Sequence, residues 1–151
     1  MSKVMLINLP IQFYLQKDFA RENAYNPSLG LLAIGSWLDL NGYEVEVLDL
    51  CYIRLNKQQL LRKIGESNPL LIGISVYTEN VNMGLSTAKL IKDSYPNIKI
   101  VLGGAHATLA YEDCIASPYV DFVSRKEGES SFLELMIAIE SNEKRIRYDQ
   151  I

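Results

Sequence analysis

Residues 71–76 are Leu-Ile-Gly-Ile-Ser-Val and residues 100–104 are Ile-Val-Leu-Gly-Gly, two short apolar runs in the middle of the chain. Neither run alternates regularly between apolar and polar side chains, as a strand with one wet face would. Strands of a parallel sheet that helices cover on both faces are apolar nearly throughout. The two runs therefore predict the central strands of a parallel α/β sheet.

Short β-branched runs alternate with stretches of helical spacing along the rest of the chain. We predict five strands, at residues 3–8, 44–49, 71–76, 99–103 and 122–125. We predict helices at residues 28–41, 58–67, 80–95 and 109–116, and a last helix whose inner stripe is Phe132, Leu135, Met136 and Ile139. Five alternating pairs favour a doubly wound α/β fold with strand order 2-1-3-4-5.

Spacing within the helices also indicates which side chains pack in the core. The helix at 80–95 has one apolar face, formed by Val81, Leu85, Ala88 and Ile91. The helix at 28–41 has a second such set, Leu31, Ile34, Trp37 and Leu38, and we expect it to end at Gly42 in a left-handed conformation. We expect the Cys114 side chain to lie in the core as well.

Length and composition indicate one globular domain. The chain has 151 residues, 48% of them hydrophobic, which suffices for a core without disulfides or a structural metal. Its 15 basic and 18 acidic residues give a net charge of −3, so we expect no nucleic-acid partner. No apolar run approaches the roughly 18 residues of a membrane span, and the N-terminus has no signal-peptide pattern. We expect a cytoplasmic protein with no membrane partner.

Cysteine and histidine usage excludes several kinds of site. Cys51 and Cys114 are far apart and are the only two cysteines, which is typical of reduced thiols rather than of a disulfide framework or a metal pair. His106 is the only histidine, so this chain has no three-histidine zinc site.

Two segments depart from the regular strand and helix units. The connection from Leu9 to Pro27 is far longer than the about 2–6 residues usual between a strand and its helix, and it follows the first strand, where a functional loop is expected. Residues 142–151 are charged and contain few apolar side chains. We therefore assign residues 1–141 to the domain and residues 142–151 to a linker that leads toward a part absent from this chain.

The loops at the carboxyl ends of the strands should decide the function of such a fold. A dinucleotide site needs Gly-x-Gly-x-x-Gly after the first strand, where residues 8–13 are Asn-Leu-Pro-Ile-Gln-Phe. The same loop lacks the hydroxyl-rich phosphate loop of a flavodoxin and the acidic residues of a phospho-acceptor receiver domain. These three kinds of site are therefore not expected.

Small and hydroxylic residues remain at three strand ends. Ser75 and Thr78 follow the third strand, Gly103 and Gly104 the fourth, and Gly128 the fifth. Glycines let a ligand approach the backbone closely, and hydroxyls offer hydrogen bonds without burying a charge. This pattern favours a bulky ligand with a polar rim. Two alternatives stay open, since the glycine pair could simply make a tight turn and Ser75 could cap a helix.

Five segments carry a resemblance to a known family. They are residues 26–31 (Asn-Pro-Ser-Leu-Gly-Leu), 41–49 (Asn-Gly-Tyr-Glu-Val-Glu-Val-Leu-Asp), 72–78 (Ile-Gly-Ile-Ser-Val-Tyr-Thr), 99–108 (Lys-Ile-Val-Leu-Gly-Gly-Ala-His-Ala-Thr) and 120–129 (Val-Asp-Phe-Val-Ser-Arg-Lys-Glu-Gly-Glu). In this order and spacing they resemble the cobalamin (B12)-binding domain found ahead of radical S-adenosylmethionine (SAM) catalytic domains. The resemblance covers nearly the whole chain.

The resemblance implies a flavodoxin-like fold that holds cobalamin with its nucleotide tail in a crevice at the strand ends. It implies cofactor-binding positions at Leu9, Pro10, Ser75, Val76, Tyr77, Thr78, Gly103, Gly104, His106, Glu127 and Gly128. Of these, Ser75, Gly103 and Gly104 match residues that line the tail. We expect Gly104→Val to displace the tail while the fold stays intact, unless Gly104 has a positive φ, where valine would strain the backbone as well.

Two positions depart from the family pattern. The Asp-x-His-x-x-Gly motif, which supplies a histidine to cobalt in many B12 domains, is missing after the first strand. Cobalamin would then be bound base-off without a protein histidine ligand, and His106 would have a hydrogen-bonding or structural role. Lys126 stands where the family has the first glycine of Gly-Glu-Gly-Glu, which adds a side chain there. Tyr14 and Tyr25 in the long loop could cover a corrin face or contact a partner.

The chain lacks the three closely spaced cysteines that hold a radical-SAM [4Fe-4S] cluster. By resemblance, the cluster and S-adenosylmethionine would belong to a missing C-terminal radical SAM domain, and no catalytic residue or metal ligand is expected in this chain. Cobalamin would there serve methyl transfer, a radical rearrangement or a ring closure. The alternative is a domain of the same fold that has lost cobalamin and only recognises substrate or docks.

Overall fold

Five parallel strands alternate with helices in the part of the chain that the computed structural model describes, residues 1–10 and 27–141. The elements are β1 (Lys3–Asn8), α1 (Leu29–Leu40), β2 (Glu44–Asp49), α2 (Lys57–Ser67), β3 (Leu71–Ser75), α3 (Val81–Ser94), β4 (Lys99–Gly103), α4 (Ala105–Leu109), α5 (Tyr111–Ile115), β5 (Phe122–Val123) and α6 (Gly128–Glu140). The predicted linker at 142–151 and most of the long loop, with Tyr14 and Tyr25, lie outside the described residues.

The strands form one sheet in the order β2-β1-β3-β4-β5, which confirms the predicted doubly wound, flavodoxin-like α/β topology. All four pairings are parallel, and β1 and β3 lie side by side at the point where the chain order reverses. The predicted bounds of β1, β2 and β4 agree with the structure. β3 and β5 end earlier than predicted, although the Val76 and Ser124 amides still donate to Gly103 and Leu102 in the neighbouring strand, both at 2.8 Å.

The helix predicted at 109–116 is wrong. Two short helices replace it, and they are separated by Ala110, whose φ of −125° and ψ of 48° interrupt helical geometry. The first of them starts directly after Gly104. Gly42 has a φ of +88°, which confirms the left-handed end of α1. No helix among the described residues is long and apolar enough to cross a bilayer.

Each face of the sheet has its own apolar core. The first core joins the sheet to α2, α3, α4 and α5, and its fully buried members include Met5, Ile7, Ile72, Ile74, Ile100 and Leu102. The second joins it to α1 and α6 through Val4, Leu6, Leu38, Leu71, Val101, Leu135 and Met136. Cys114 is buried in the first core, as predicted. The prediction for Trp37 is wrong, because its side chain is 42% exposed on the outer side of α1.

Asp121 stabilises the amino edge of the sheet. Its carboxylate accepts the Ile100 amide at 2.8 Å, and the Lys92 and Lys99 ammonium groups lie 2.7 and 3.5 Å from it. The contact joins α3 to the starts of β4 and β5, at the end of the sheet opposite the carboxyl-end loops.

Gly73, in the middle of β3, sets the separation between the sheet and α6. A Cβ atom there would lie 2.8 Å from two ring carbons of Phe132 and 2.9 Å from Leu6. Gly30, on the exposed surface of α1, has no such neighbour within 4 Å. The two glycines therefore differ in the space around them.

We predict that Gly73→Ala lowers the free energy of unfolding by about 1–3 kcal/mol, because the added methyl group overpacks this core. Gly30→Ala is the matched control and should raise it by about 0.5–1 kcal/mol, since alanine is the better helix former. Urea denaturation of both variants measures the difference. A Gly73→Ala variant as stable as the parent would contradict this packing.

Candidate functional site

A row of small polar residues crosses the carboxyl edge of the sheet. Strand register places Asp49, Asn8, Ser75 and Gly103 next to one another, and Ser124 follows beside Gly103. Side chains alternate between the two faces of a strand, and the row positions lie an even number of residues from the strand residues of the second core. The row therefore faces the layer of α1 and α6. The row extends that core toward the ligand-binding end of the fold with side chains that fill little space.

Ser75 has a hydroxyl group that forms no hydrogen bond within the described residues. The side chain is partly buried, and Asn80, not Ser75, precedes α3. The alternative that Ser75 caps a helix is therefore wrong. Its oxygen lies 3.1 Å from the point that a Cβ of Gly104 would occupy. A hydroxyl in this position can bond to a ligand that enters along the row.

The two glycines after β4 have different roles. Gly104 has a φ of +100°, and a Cβ there would lie 2.8 Å from the Val76 carbonyl oxygen. The fold itself therefore requires glycine at 104, and the expectation that Gly104→Val leaves the fold intact is wrong. A Cβ at Gly103 would meet only Ser124, at 3.7 and 3.8 Å. Gly103 thus leaves space over the row that the fold does not need.

Hydrogen bonds between loops fix the rim of this edge. The Thr78 hydroxyl lies 3.1 Å from Nδ1 of His106, and the His106 amide donates to the Val76 carbonyl at 3.2 Å. The Thr108 hydroxyl donates to the Gly104 carbonyl and accepts the Lys126 amide, both at 3.0 Å. His106 is therefore held at this rim by both its ring and its backbone amide.

The other predicted binding residues differ in burial and in their place along this edge. Leu9 and Val76 have side chains buried in the first core, so only their backbone can reach the row. Tyr77 and Glu127 are exposed at the edge. Pro10 is the last described residue before the long loop, and Gly128 begins α6 in close contact with Ile34 of α1.

Asn80 was missed as a residue of the site. Its side chain is 2% exposed, and its amide group bridges the Leu9 carbonyl and the Tyr77 backbone amide. Asparagine before a helix normally indicates a cap. The sequence therefore gives no signal that this side chain turns toward the loops.

Cys51 lies at the β2 end of the row as a protonated thiol. Burial first, and then the charge and hydrogen bond of Asp49, raise the pKa of Cys51 to about 11. The Asn8 side chain contacts both, at 3.2 Å from the Asp49 carboxylate and 3.6 Å from the Cys51 sulfur. Among the described residues no cluster of three or more His, Cys, Asp or Glu side chains could hold a metal ion.

We predict that iodoacetamide at pH 8 modifies Cys51 about a hundredfold more slowly in the folded chain than in urea, because the raised pKa leaves little thiolate. The background Cys114→Ser makes Cys51 the only thiol. Asp49→Asn should accelerate the reaction by removing the negative charge. Equal rates in the folded and unfolded chain would show that the thiol is neither buried nor suppressed.

Lys126 holds a backbone conformation that favours glycine. Its φ is +63°, and the only other described non-glycine residue with positive φ is Asn68, at +47°. A left-handed residue costs about 1–2 kcal/mol unless it is glycine or, more mildly, asparagine. The backbone of residue 126 thus has the left-handed conformation that glycine, the residue expected here from the resemblance, adopts most readily.

We predict that Lys126→Gly raises the free energy of unfolding by about 0.5–1 kcal/mol, after the greater freedom of glycine in the unfolded chain is subtracted. Asn68→Gly is the matched control and should change it by less than about 0.5 kcal/mol. Thermal denaturation of both variants tests this. A destabilised Lys126→Gly would mean that the lysine side chain outweighs the backbone strain.

An open depression at the opposite, amino edge is a weaker candidate. It measures about 520 Å³ and is lined by residues that include Met1, Asn68 and Leu70. Lys3 and Glu44, which also line it, pair with each other at 2.7 Å. The depression also lies at the end of the sheet opposite the carboxyl-end loops, where folds of this class bind ligands.

Comparison with known proteins identifies a family. The profile of the B12 binding domain matches residues 21–136. The chain is 31% identical over 128 residues to the anaerobic magnesium-protoporphyrin IX monomethyl ester cyclase of Synechocystis sp., a match that covers 83% of this chain and 26% of that protein. It is 36% identical over 73 residues to the cobalamin-dependent radical SAM methyltransferase TokK of Streptomyces tokunonensis, covering 48% of this chain and 11% of that one.

One solved structure agrees closely in fold. The cobalamin-dependent S-adenosylmethionine radical enzyme OxsB, with aqua-cobalamin bound, superposes with a TM-score of 0.77 over 97% of this chain and 20% of its own length. Its sequence identity of 20% supports a common fold only. The chain spans about a quarter of the length of the cyclase and less of the other two proteins.

Proposed function

The chain belongs to the B12-binding domain family, and we propose that it holds cobalamin at the carboxyl edge of its sheet as a module of a radical S-adenosylmethionine enzyme. The observation that carries the proposal is the pair formed by Ser75 and Gly103. Ser75 offers a partly buried hydroxyl without a hydrogen-bond partner among the described residues, and Gly103 leaves space beside it. The nucleotide tail of cobalamin would lie along this row.

The residues fit this cofactor in size and polarity. The row at the strand ends contains small polar side chains and one glycine, and the apolar second core continues beneath it toward α1 and α6. A tail with an aromatic base and a polar phosphate needs apolar walls and a few hydrogen-bond donors. Tyr77, Thr78 and His106 would contact the corrin rim from the loops above.

The cobalt would have no protein nitrogen beneath it. The His106 ring faces the Thr78 hydroxyl at 3.1 Å, and the chain has no second histidine. The cofactor base would occupy the crevice, so cobalamin would be bound base-off. When bound, cobalamin would supply a cobalt centre for methyl transfer, a radical rearrangement or a ring closure, while this chain orients it.

The rest of the reaction requires a further domain. S-adenosylmethionine and a [4Fe-4S] cluster would be held by a C-terminal radical SAM domain, with residues 142–151 as the linker. The two free cysteines, Cys51 and Cys114, agree with a reducing cytoplasm.

We predict that the purified chain retains hydroxocobalamin after desalting, with a corrin absorption spectrum that remains with the protein. Gly103→Val should weaken retention about tenfold or more, because the new side chain would occupy the row and its Cβ would meet only Ser124 among the described residues. Ser2→Val adds the same kind of bulk at the amino edge and should leave retention unchanged. A parent chain that releases all cobalamin would favour the alternative of a docking domain.

We predict that the cobalt(II) form shows an electron paramagnetic resonance spectrum without the three-line splitting of an axial nitrogen. His106→Ala should leave the spectrum unchanged. A nitrogen triplet that disappears in His106→Ala would make His106 the ligand. A triplet that survives this substitution would mean that the cofactor keeps its own base.

A further inference from the structure

Asn80 is a buried polar residue that occupies the cap position of a helix but forms its hydrogen bonds with loops instead. It is the residue before α3, where an asparagine side chain ordinarily accepts a helix amide. It makes no such bond to α3. Its Oδ1 instead accepts the Tyr77 backbone amide at 2.7 Å, and its Nδ2 donates to the Leu9 carbonyl at 3.2 Å.

These two contacts join the exits of neighbouring strands. The Leu9 carbonyl lies where the chain leaves β1, and the Tyr77 amide lies just after the chain leaves β3. β1 and β3 are paired, and their carboxyl ends are the switch point at which folds of this class bind ligands. The donor and the acceptor of the buried Asn80 side-chain amide therefore both bond to backbone groups of the loops that form the candidate site.

We infer that Asn80 is a positioning residue, which fixes the exits of β1 and β3 relative to each other so that the crevice has its binding geometry before cobalamin enters. The inference rests on the proposed function and adds to it a residue that does not face the ligand. The Asn80 hydrogen bonds would raise the fraction of ligand-free chains whose crevice already has the binding geometry. Where only a fraction of the chains is competent, the apparent dissociation constant rises by the inverse of that fraction.

Two substitutions separate this role from general stability. Asn80→Ala removes both hydrogen bonds and leaves the Tyr77 amide and the Leu9 carbonyl without their partner. Asn80→Asp keeps an acceptor for the Tyr77 amide and places a second oxygen against the Leu9 carbonyl. Asp121→Ala is the matched control, since it removes a partly buried hydrogen-bonding side chain at the amino edge.

The experiment is a hydroxocobalamin titration, followed by visible absorbance at a temperature where all variants are folded. We expect both Asn80 variants to bind about tenfold more weakly than the parent, as a drop in the competent fraction to about a tenth would produce. We expect Asp121→Ala to bind like the parent even though its thermal midpoint falls. If Asn80→Ala does not fold, Asn80→Asp alone decides the outcome.

Parental affinity in the Asn80 variants would overturn the inference, and so would an equal loss of affinity in Asp121→Ala. A parent chain that binds no cobalamin would contradict the proposed function instead. Hydrogen exchange in the ligand-free chains would then decide about Asn80. Faster exchange of the Tyr77 amide in Asn80→Ala, with protection kept in Asn80→Asp, would support the positioning role, and equal exchange in all three chains would overturn it.

Discussion

The candidate site depends on the pairing of β3 with β4 and on its continuation past the ends of both strands. The Val76 amide donates to the Gly103 carbonyl at 2.8 Å, and the Val76 carbonyl then accepts the His106 amide at 3.2 Å. The chain after β4 must pass close over Val76, so residue 104 has no room for a side chain and adopts a positive φ. This crossing places Ser75, Gly103 and the His106 loop at one edge.

The two cores determine which side of that edge is open to a ligand. On the first face the apolar core continues to the strand ends through Leu9 and Val76, which are both buried. On the second face Asn8, Ser75 and Gly103 replace apolar residues at the same level. Close packing therefore stops earlier on the side of α1 and α6. The nucleotide tail is proposed to lie there because the strand ends on that face are both small and polar.

The sequence was sufficient for the topology and for the positions of Ser75, Gly103 and Gly104 at the carboxyl ends of their strands. The alternation of five strands with helices predicted the sheet order, because strand and helix periods differ clearly along most of the chain. The bend at Ala110 was missed because alanine is a good helix former and nothing local opposes a continuous helix there. The sequence left open whether Gly104 borders a ligand or makes a tight turn, because its contact with Val76 depends on two strands that are distant in sequence. Asn80 was missed because asparagine before a helix indicates a cap and because the Leu9 carbonyl that it contacts is 71 residues away in sequence.

We propose that cobalamin binds along the carboxyl edge of the sheet on the side of α1 and α6. The most direct test is to titrate the ¹⁵N-labelled chain with diamagnetic hydroxocobalamin and to map the backbone amides whose resonances shift. We predict that the largest shifts occur at Ser75, Gly103 and Gly104, with little change at Lys3, Asn68 and Leu70 around the amino-edge depression. Shifts concentrated around that depression, or an unchanged spectrum at saturating hydroxocobalamin, would contradict it.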